Sequence, residues 1–559
     1  MKKKNIFAVS SMLALAVMGG GMLSSCTGDF EDLNTNKTQV DPDILPFSAQ
    51  CAEPMNYCYP PHQNMFQFWT NLTIDLYGGY FQTPHGNFTN CDMGENRGHS
   101  GGMYENYYLH IFNNTRRNIA SLDKQNLDGL AGTMRIVQAV GTMQATDAYG
   151  PLAYSSIINA ESESSYRFDS QQKLYEYMLD DLDKAIAGLQ KMDNVEKTSL
   201  ATYDTWGGGD PEMWIQIANT MKLRIALRLS KRESEMAADG YDLKAIATAA
   251  AANTLAVSGK DIVVKDQSNE LKRMFEWLDC GMNANLVTLM VGMNDPRLPL
   301  YMTKNDADIT NEKGVTTAKG SVYCGIRYAS GMAQKGSDGW YGHKMSQWVG
   351  AYNVPLPIFK AAESYFLLAE AKLRWGIGSE SVKALYEKGI RLSIKNELAY
   401  KGSFAGIENI SEADIDAYIN GTTGQADYVD PGNSANNCKA VNHLGVKWDD
   451  AASKEDQLAR IQTQKYIALF PLSNEGWAEQ RRTGYPKFFV ALVNKSNGAV
   501  NTEEGVRRVI YSSNAYDTNA EGIKGGLELL DKENTSKNGI SGDKGGTHVW
   551  WDNANKGNF

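Results

Sequence analysis

Two glycine-rich stretches hold the side chains best suited to binding chemistry. In the first, Tyr77, Tyr80 and Phe81 flank Gly78-Gly79 and lie beside Asn71 and Asp75. In the second, Trp340, Tyr341 and Trp348 are interleaved with Asp338, Gly339, Gly342, His343 and Gln347. Flat aromatic faces next to planar hydrogen-bonding groups suit a saccharide, whose rings present apolar C–H faces rimmed by hydroxyls. Trp206, within TWGGGD, and Trp277 are two further candidate platforms. The polar contacts would fall to Asp75, Asp338 and His343. Other rings belong to a core: Trp69 follows Phe66 at helical spacing, and Trp214 sits on a helical apolar stripe.

No catalytic constellation stands out in the sequence, although 65 acidic residues leave room for a carboxylate pair whose separation the sequence does not give. There is no Gly-x-Ser-x-Gly elbow and no Walker loop, and the seven histidines form neither a His-x-x-x-His pair nor a Cys/His metal spacing. The stretch Asn305–Thr310 starts like a calcium loop but lacks the glycine such a loop needs at its sixth position, so it reads as a solvated acidic turn. No cofactor is therefore expected, and a structural calcium is not predicted. Beyond Cys26, the six cysteines Cys51, Cys58, Cys91, Cys280, Cys324 and Cys438 match no disulfide framework and read as buried free thiols.

The elements that must position these residues are mostly helical. Tyr175, Met178, Leu179, Leu182, Ile186 and Leu189 form one apolar stripe, and Trp214, Ile217, Ala218, Met221, Ile225 and Leu229 repeat it behind Asp210-Pro211. Similar segments run at about 62–77, 103–123, 130–147, 359–375, 380–398, 411–420 and 454–482. Residues 363–396 read as helix, glycine turn, helix, about the length of a tetratricopeptide unit. Short strands are expected near 150–158, 261–265, 321–328 and 507–512, and surface loops after about 494. The predicted fold is mostly α: a tetratricopeptide-like array of helix pairs, with long irregular loop insertions and small β-hairpins.

Composition narrows the class further. The 559 residues carry a formal charge of −10, and hydrophobic residues make up 42%. That content supports a large core, and the acidic balance argues against nucleic acid, whose phosphates need a basic surface. At the N-terminus, Lys2–Lys4, the apolar run Ile6–Met18 and Leu23-Ser24-Ser25-Cys26 have the form of a signal peptide ending in a lipobox. Residues 1–25 are thus expected to be removed, Cys26 to be lipidated, 26–45 to form an acidic tether, and 46–559 to form a single domain. A multiply acylated cysteine would anchor the chain to a membrane without a spanning helix.

Six segments, spread in order over nearly the whole mature chain, carry a family resemblance. They are the lipobox with GDFEDLNTNK (Gly28–Lys37), DAYGPLAYS (Asp147–Ser155), GDPEMWIQIANTMKLRIALRLS (Gly209–Ser230), ESYFLLAEAKLR (Glu363–Arg374), NEGWAEQRRTGYP (Asn474–Pro486) and VWWD (Val549–Asp552). The chain resembles the SusD/RagB family of nutrient-binding outer-membrane lipoproteins. It departs from the family pattern at Pro151-Leu152-Ala153, where the family usually has Asp-hydrophobe-Pro. The resemblance implies a surface-exposed lipoprotein that is not an enzyme. It would capture an oligosaccharide or polysaccharide and deliver it to a SusC-type TonB-dependent transporter. A RagB-type peptide importer and, further off, a surface glycoside hydrolase or a transporter lid with no site of its own are the alternatives. The motif residues themselves are expected to be scaffold: Trp477, Arg481 and Arg482 would lock the last hairpin, and Asn219 and Arg224 would bond neighbouring backbone.

Overall fold

A computed structural model describes residues 47–159, 165–264, 267–311 and 313–559. The expected signal peptide, Cys26 and the tether to residue 45 lie outside these. Helices dominate, and their ends follow local rules. Asp210, in extended conformation, accepts a hydrogen bond from the Glu212 N–H, and Pro211 opens the helix Pro211–Arg228. Ser381, Ser411, Ser453 and Ser512 cap Val382–Ala405, Glu412–Ile419, Lys454–Leu469 and Ser513–Glu533 in the same way. Gly376, Gly406 and Gly484 close three helices at positive φ, a backbone region open to glycine at little cost.

Successive helices pack on one another: Asp128–Tyr149 on Gln171–Gln190, Ala361–Trp375 on Val382–Ala405, and Lys454–Leu469 on Ser473–Thr483. Small residues set the closest crossing. A Cβ at Gly188 would stand 2.3 Å from the Asp128 carbonyl oxygen, and one at Gly132 would stand 2.9 Å from that of Ala185. The mostly helical class predicted from the sequence is what the chain forms, with Phe47–Phe559 as one compact unit.

The strands among the described residues are short, eight of them in four antiparallel pairs, and most lie away from the expected segments. Ile262–Val264 does pair, antiparallel, with Leu356–Phe359. The 321–328 segment contributes only a bridge at Ile326, and 150–158 only a bridge at Leu152 before a helical turn at Ser155–Ile158. Residues 507–512 form no strand. Conversely, the tail expected to be loops contains the helix Ser513–Glu533. Its glycines hide it from a propensity reading, yet two of the three are required by packing. A Cβ at Gly522 would lie 2.2 Å from the Tyr166 carbonyl oxygen, and one at Gly526 would lie 2.4 Å from the Phe168 ring.

The five motif segments within the described residues meet at one buried ionic centre. Arg224 and Arg228 of the 211–228 helix face Glu363 (Nε–Oε1 3.0 Å) and Glu479 (Nε–Oε1 3.1 Å), and Arg228 also pairs with Asp147 and Glu475. Arg482 bridges Glu370 and Glu479, while Lys465 lies 3.3 Å from Glu363 and 3.2 Å from Glu479. The VWWD segment joins through Trp551, whose Nε1–H donates to Asp147 Oδ1 at 2.8 Å. Arg224 thus serves a carboxylate rather than backbone, a correction to the sequence expectation. Burial demands this: an ionised carboxylate inside a core is tolerated when cations and donors surround it. Trp477 and Arg481 do lock the chain, as expected. The Arg481 guanidinium lies 3.5 Å over the Trp477 ring and donates to the Asp147 carbonyl.

Candidate functional site

The first glycine-rich stretch does not become a binding loop. Tyr80 and Phe81 are 0% and 1% exposed. The Tyr80 hydroxyl donates to the Tyr466 carbonyl at 2.5 Å, and Phe81 packs between Phe275 and Phe470. Tyr77 is half-buried against Tyr328 and Trp477. Asp75 is buried beside a cavity of about 40 Å³ shared with Phe81, Gln144 and Ser473, and burial pushes its carboxyl up to about 7. Phe81 and Gln82 pair with Met282 and Gly281, and Tyr80 and Phe81 are sealed from any ligand.

The second stretch divides. Tyr341 is buried, with its hydroxyl 2.8 Å from both Asp430 oxygens, and Trp348 is buried with Gly350 folded over its ring. Trp206 is buried too, stacked on Trp214 with ring centroids 5.5 Å apart. These three are corrected from platforms to core: an aromatic next to glycine can be enclosed by distant segments, which spacing does not reveal. Trp277 and Trp340 remain half-exposed, and Asp338 and His343 are exposed. His343 Nδ1 lies 3.0 Å from Asp306, which also meets Lys319, so the acidic turn at 305–310 is met by an imidazole and an ammonium group. Among the described residues no group of three or more His, Cys, Asp or Glu side chains could hold a metal ion.

One candidate, Trp277, stands at the end of a more extended constellation. The short helix Leu271–Glu276 ends at Trp277, and Leu278 at φ 56° turns the chain so that Asp279 points inward. A non-glycine residue in that region marks a conformation held by its surroundings. The Asp279 carboxylate gathers His85 Nε2 (2.9 Å), Lys335 Nζ (3.0 Å) and Gln67 Nε2 (3.0 Å), while its carbonyl accepts from Asn71 Nδ2 (3.1 Å). Burial raises its pKa, but His85 and Lys335 pull it below the usual carboxylate range. Lys335 also donates to the Trp277 carbonyl, and its own N–H to Asn87 Oδ1. The 334–340 loop that carries Trp340 is thereby tied to the 85–88 loop.

From the buried His85 a chain of ring contacts leads outward to the surface. His85 meets Phe88 (centroids 5.5 Å), Phe88 meets His99 edge-on (5.7 Å), and His99 stacks on Phe68 (5.3 Å, 13° between planes). Phe68 is 36% exposed, while its helical neighbour Trp69 is core, as its spacing from Phe66 predicts. Beyond the 271–276 helix, half-exposed Tyr352 carries the Arg273 guanidinium 5.2 Å over its ring. Rings with open faces beside amide, ammonium and carboxylate groups can stack on a sugar ring and bond its hydroxyls. Phe68, His85, Phe88, His99, Lys335 and Tyr352 were not candidates from sequence. Phe68 had a signal, since it falls off the apolar stripe of Phe66 and Trp69. A cavity of about 450 Å³ between the 309–317 hairpin and the 426–437 loop has an aliphatic rim, Val291, Val315, Val322 and Val429, and suits a saccharide less well.

A helical array that displays open aromatic faces beside hydrogen-bonding groups is suited to binding. The chain belongs to the family described as SusD-like, the Susd and RagB outer membrane lipoproteins, which it matches over residues 31–552. It is similar to a chitin-binding SusD homologue from Flavobacterium johnsoniae, with 30% identity and a TM-score of 0.77, covering 92% of this chain and 99% of that one. SusD homologues from Bacteroides thetaiotaomicron (26% identity, TM-score 0.76, 92% and 100% covered) and Bacteroides vulgatus (27%, 0.74, 92% and 98%) are likewise similar. Comparison with functionally curated proteins finds no match. No helix among the described residues is long and apolar enough to cross a membrane.

Proposed function

We propose that the protein is a cell-surface lipoprotein, anchored in the outer membrane through Cys26. It would capture an oligosaccharide on the aromatic faces from Phe68 to Trp277 and hand it to a SusC-type TonB-dependent transporter. The observation that carries the reading is the Asp279 centre, where one carboxylate fixes Gln67, Lys335 and the buried His85, which packs on the Phe88 ring, while Lys335 also holds the Trp277 carbonyl. The chitin-binding relative supports a glycan as the ligand class, and the family description supports the lipoprotein address. Capture is passive: rings stack, hydroxyls bond, and no bond is broken. Trp340, Asp338 and His343 are proposed as further contacts, and the reading calls on neither a metal nor a cofactor.

Calorimetry against chito-oligosaccharides, other neutral glycans and peptides tests the reading. Saturable binding of one glycan class, with no shortened product after incubation, is expected. Peptide binding with every glycan unbound would move the protein to the peptide-import class, and product release would make it a hydrolase. Co-purification with a SusC-type partner from solubilised outer membranes tests delivery, and its absence would leave a free-standing binder.

A further inference from the structure

A second cleft, of about 510 Å³, opens where the chain leaves the 211–228 helix and meets the end of the 361–375 helix. Lys231, Arg374, Lys454, Lys556, Trp375 and Phe559 line it. Its volume is within the range of small-ligand pockets. Its charge is not typical of this acidic chain. Arg374 is matched by Glu370 at 2.9 Å. The ammonium groups of Lys231, Lys454 and Lys556, by contrast, make no ion pair or hydrogen bond among the described residues; Lys454 lies 5.5 Å over the Phe559 ring. The single acid on the wall, Glu233, is engaged, accepting the Trp375 Nε1–H at 3.0 Å.

Lys231 is the informative member. It is half-buried, and burial followed by the nearby Arg482, Arg507 and Arg374 guanidinium groups pushes it down to about 8 against the pull of Asp552. A part-enclosed ammonium with no ion pair at contact distance is costly, and an incoming anion lowers that cost. The cations set the charge of the ligand, and Trp375 sets its body. Its indole, half-exposed and oriented by Glu233, stands in the wall as a stacking face.

We propose that this cleft is a second binding site, for an acidic saccharide: a carboxylate or sulfate ester held among Lys231, Lys454 and Lys556, with its sugar ring against Trp375. The saccharide part rests on the glycan reading of the protein, whereas the anion part rests on the cleft alone.

The test uses calorimetry at low salt with three probes: a chondroitin disaccharide bearing uronate and sulfate, a neutral chito-oligosaccharide, and inorganic sulfate. The proteins are the lipid-free mature chain and its Trp277→Ala, Trp375→Ala and Lys231→Gln/Lys556→Gln variants. The expected result is that the acidic disaccharide binds the Trp277→Ala protein undiminished, weakens at least tenfold in the double lysine variant and in Trp375→Ala, and is released by salt. Lys231→Gln should also raise the melting temperature, because it removes an unpaired charge, so lost binding would not be misfolding. Failure of the disaccharide to bind, or its loss only in Trp277→Ala, overturns the second site. Equal affinity for inorganic sulfate, with Trp375→Ala silent, overturns the saccharide class. Failure of the neutral probe alone counts against the glycan reading and is read separately.

Discussion

Arg482 grips Glu370 with both terminal nitrogens, each 2.7 Å from a carboxylate oxygen, and both side chains are essentially sealed from water at 0% and 1% exposure. Glu370 comes from ESYFLLAEAKLR and Arg482 from NEGWAEQRRTGYP, so one bidentate pair joins two segments 112 residues apart. Such pairs are short and directional. They also explain why these motifs are rich in charge although they lie in a core.

Breaking this pair should unfold the array locally. Arg482→Ala takes the bidentate cation from Glu370 and a partner from Glu479, leaving them to Arg374 and to Arg228 with Lys465, and should cost about 3 kcal/mol. Thermal unfolding should show a clearly lowered midpoint for Arg482→Ala. Replacing Arg482 and Glu370 together by apolar residues of similar size should lose less. A double variant as unstable as the single one would contradict this account.

The exposed and enclosed tryptophans should separate cleanly. Trp277→Ala removes a half-exposed face of the proposed site and should weaken glycan binding about tenfold, near 1.4 kcal/mol, with the melting temperature little changed. Trp348→Ala empties a packed site and should cost about 3–5 kcal/mol of stability instead. Parallel calorimetry and melting curves check both. Equal effects of the two changes on affinity would place Trp348 in the ligand site after all.

Asp75 should make stability depend on pH. Its folded carboxyl titrates at about 7, above the usual value, because burial disfavours the charged form. The folded state therefore binds the proton more tightly than the unfolded chain does. This contribution favours folding at low pH, declines from about pH 4 upward, and is fully lost above about pH 7. Asp75→Asn should accordingly stabilise the protein at pH 8, on the order of a few kcal/mol, and change little at pH 4. Chemical denaturation at the two pH values measures the difference, and a gain confined to pH 4 would reverse the sign.

The helix crossing at Gly188 tolerates no side chain. Its Cβ would stand 2.3 Å from the Asp128 carbonyl oxygen, a backbone atom that cannot turn away. Gly188→Ala should cost about 1–3 kcal/mol by forcing the 128–149 and 171–190 helices apart. In contrast, Gly525→Ala, with open space at its Cβ, should be neutral or slightly stabilising. Paired melting curves decide this.

The sequence by itself determined the helical array, because a 3.6-residue apolar period with Ser or Asp caps and glycine stops depends on neighbours within a turn or two. It also set the distribution of charge and the lack of catalytic motifs. It placed Trp69 and Trp214 in the core, where they lie. Tertiary structure alone decided which aromatic faces reach solvent. Tyr80 is closed by Tyr466, 386 residues further on, and Tyr341 by Asp430, 89 residues further on. Local spacing carries no record of either. For the same reason the Asp279 centre was invisible: its partners Gln67, His85 and Lys335 come from three separate segments, and only the folded chain brings them within 3.0 Å of one carboxylate.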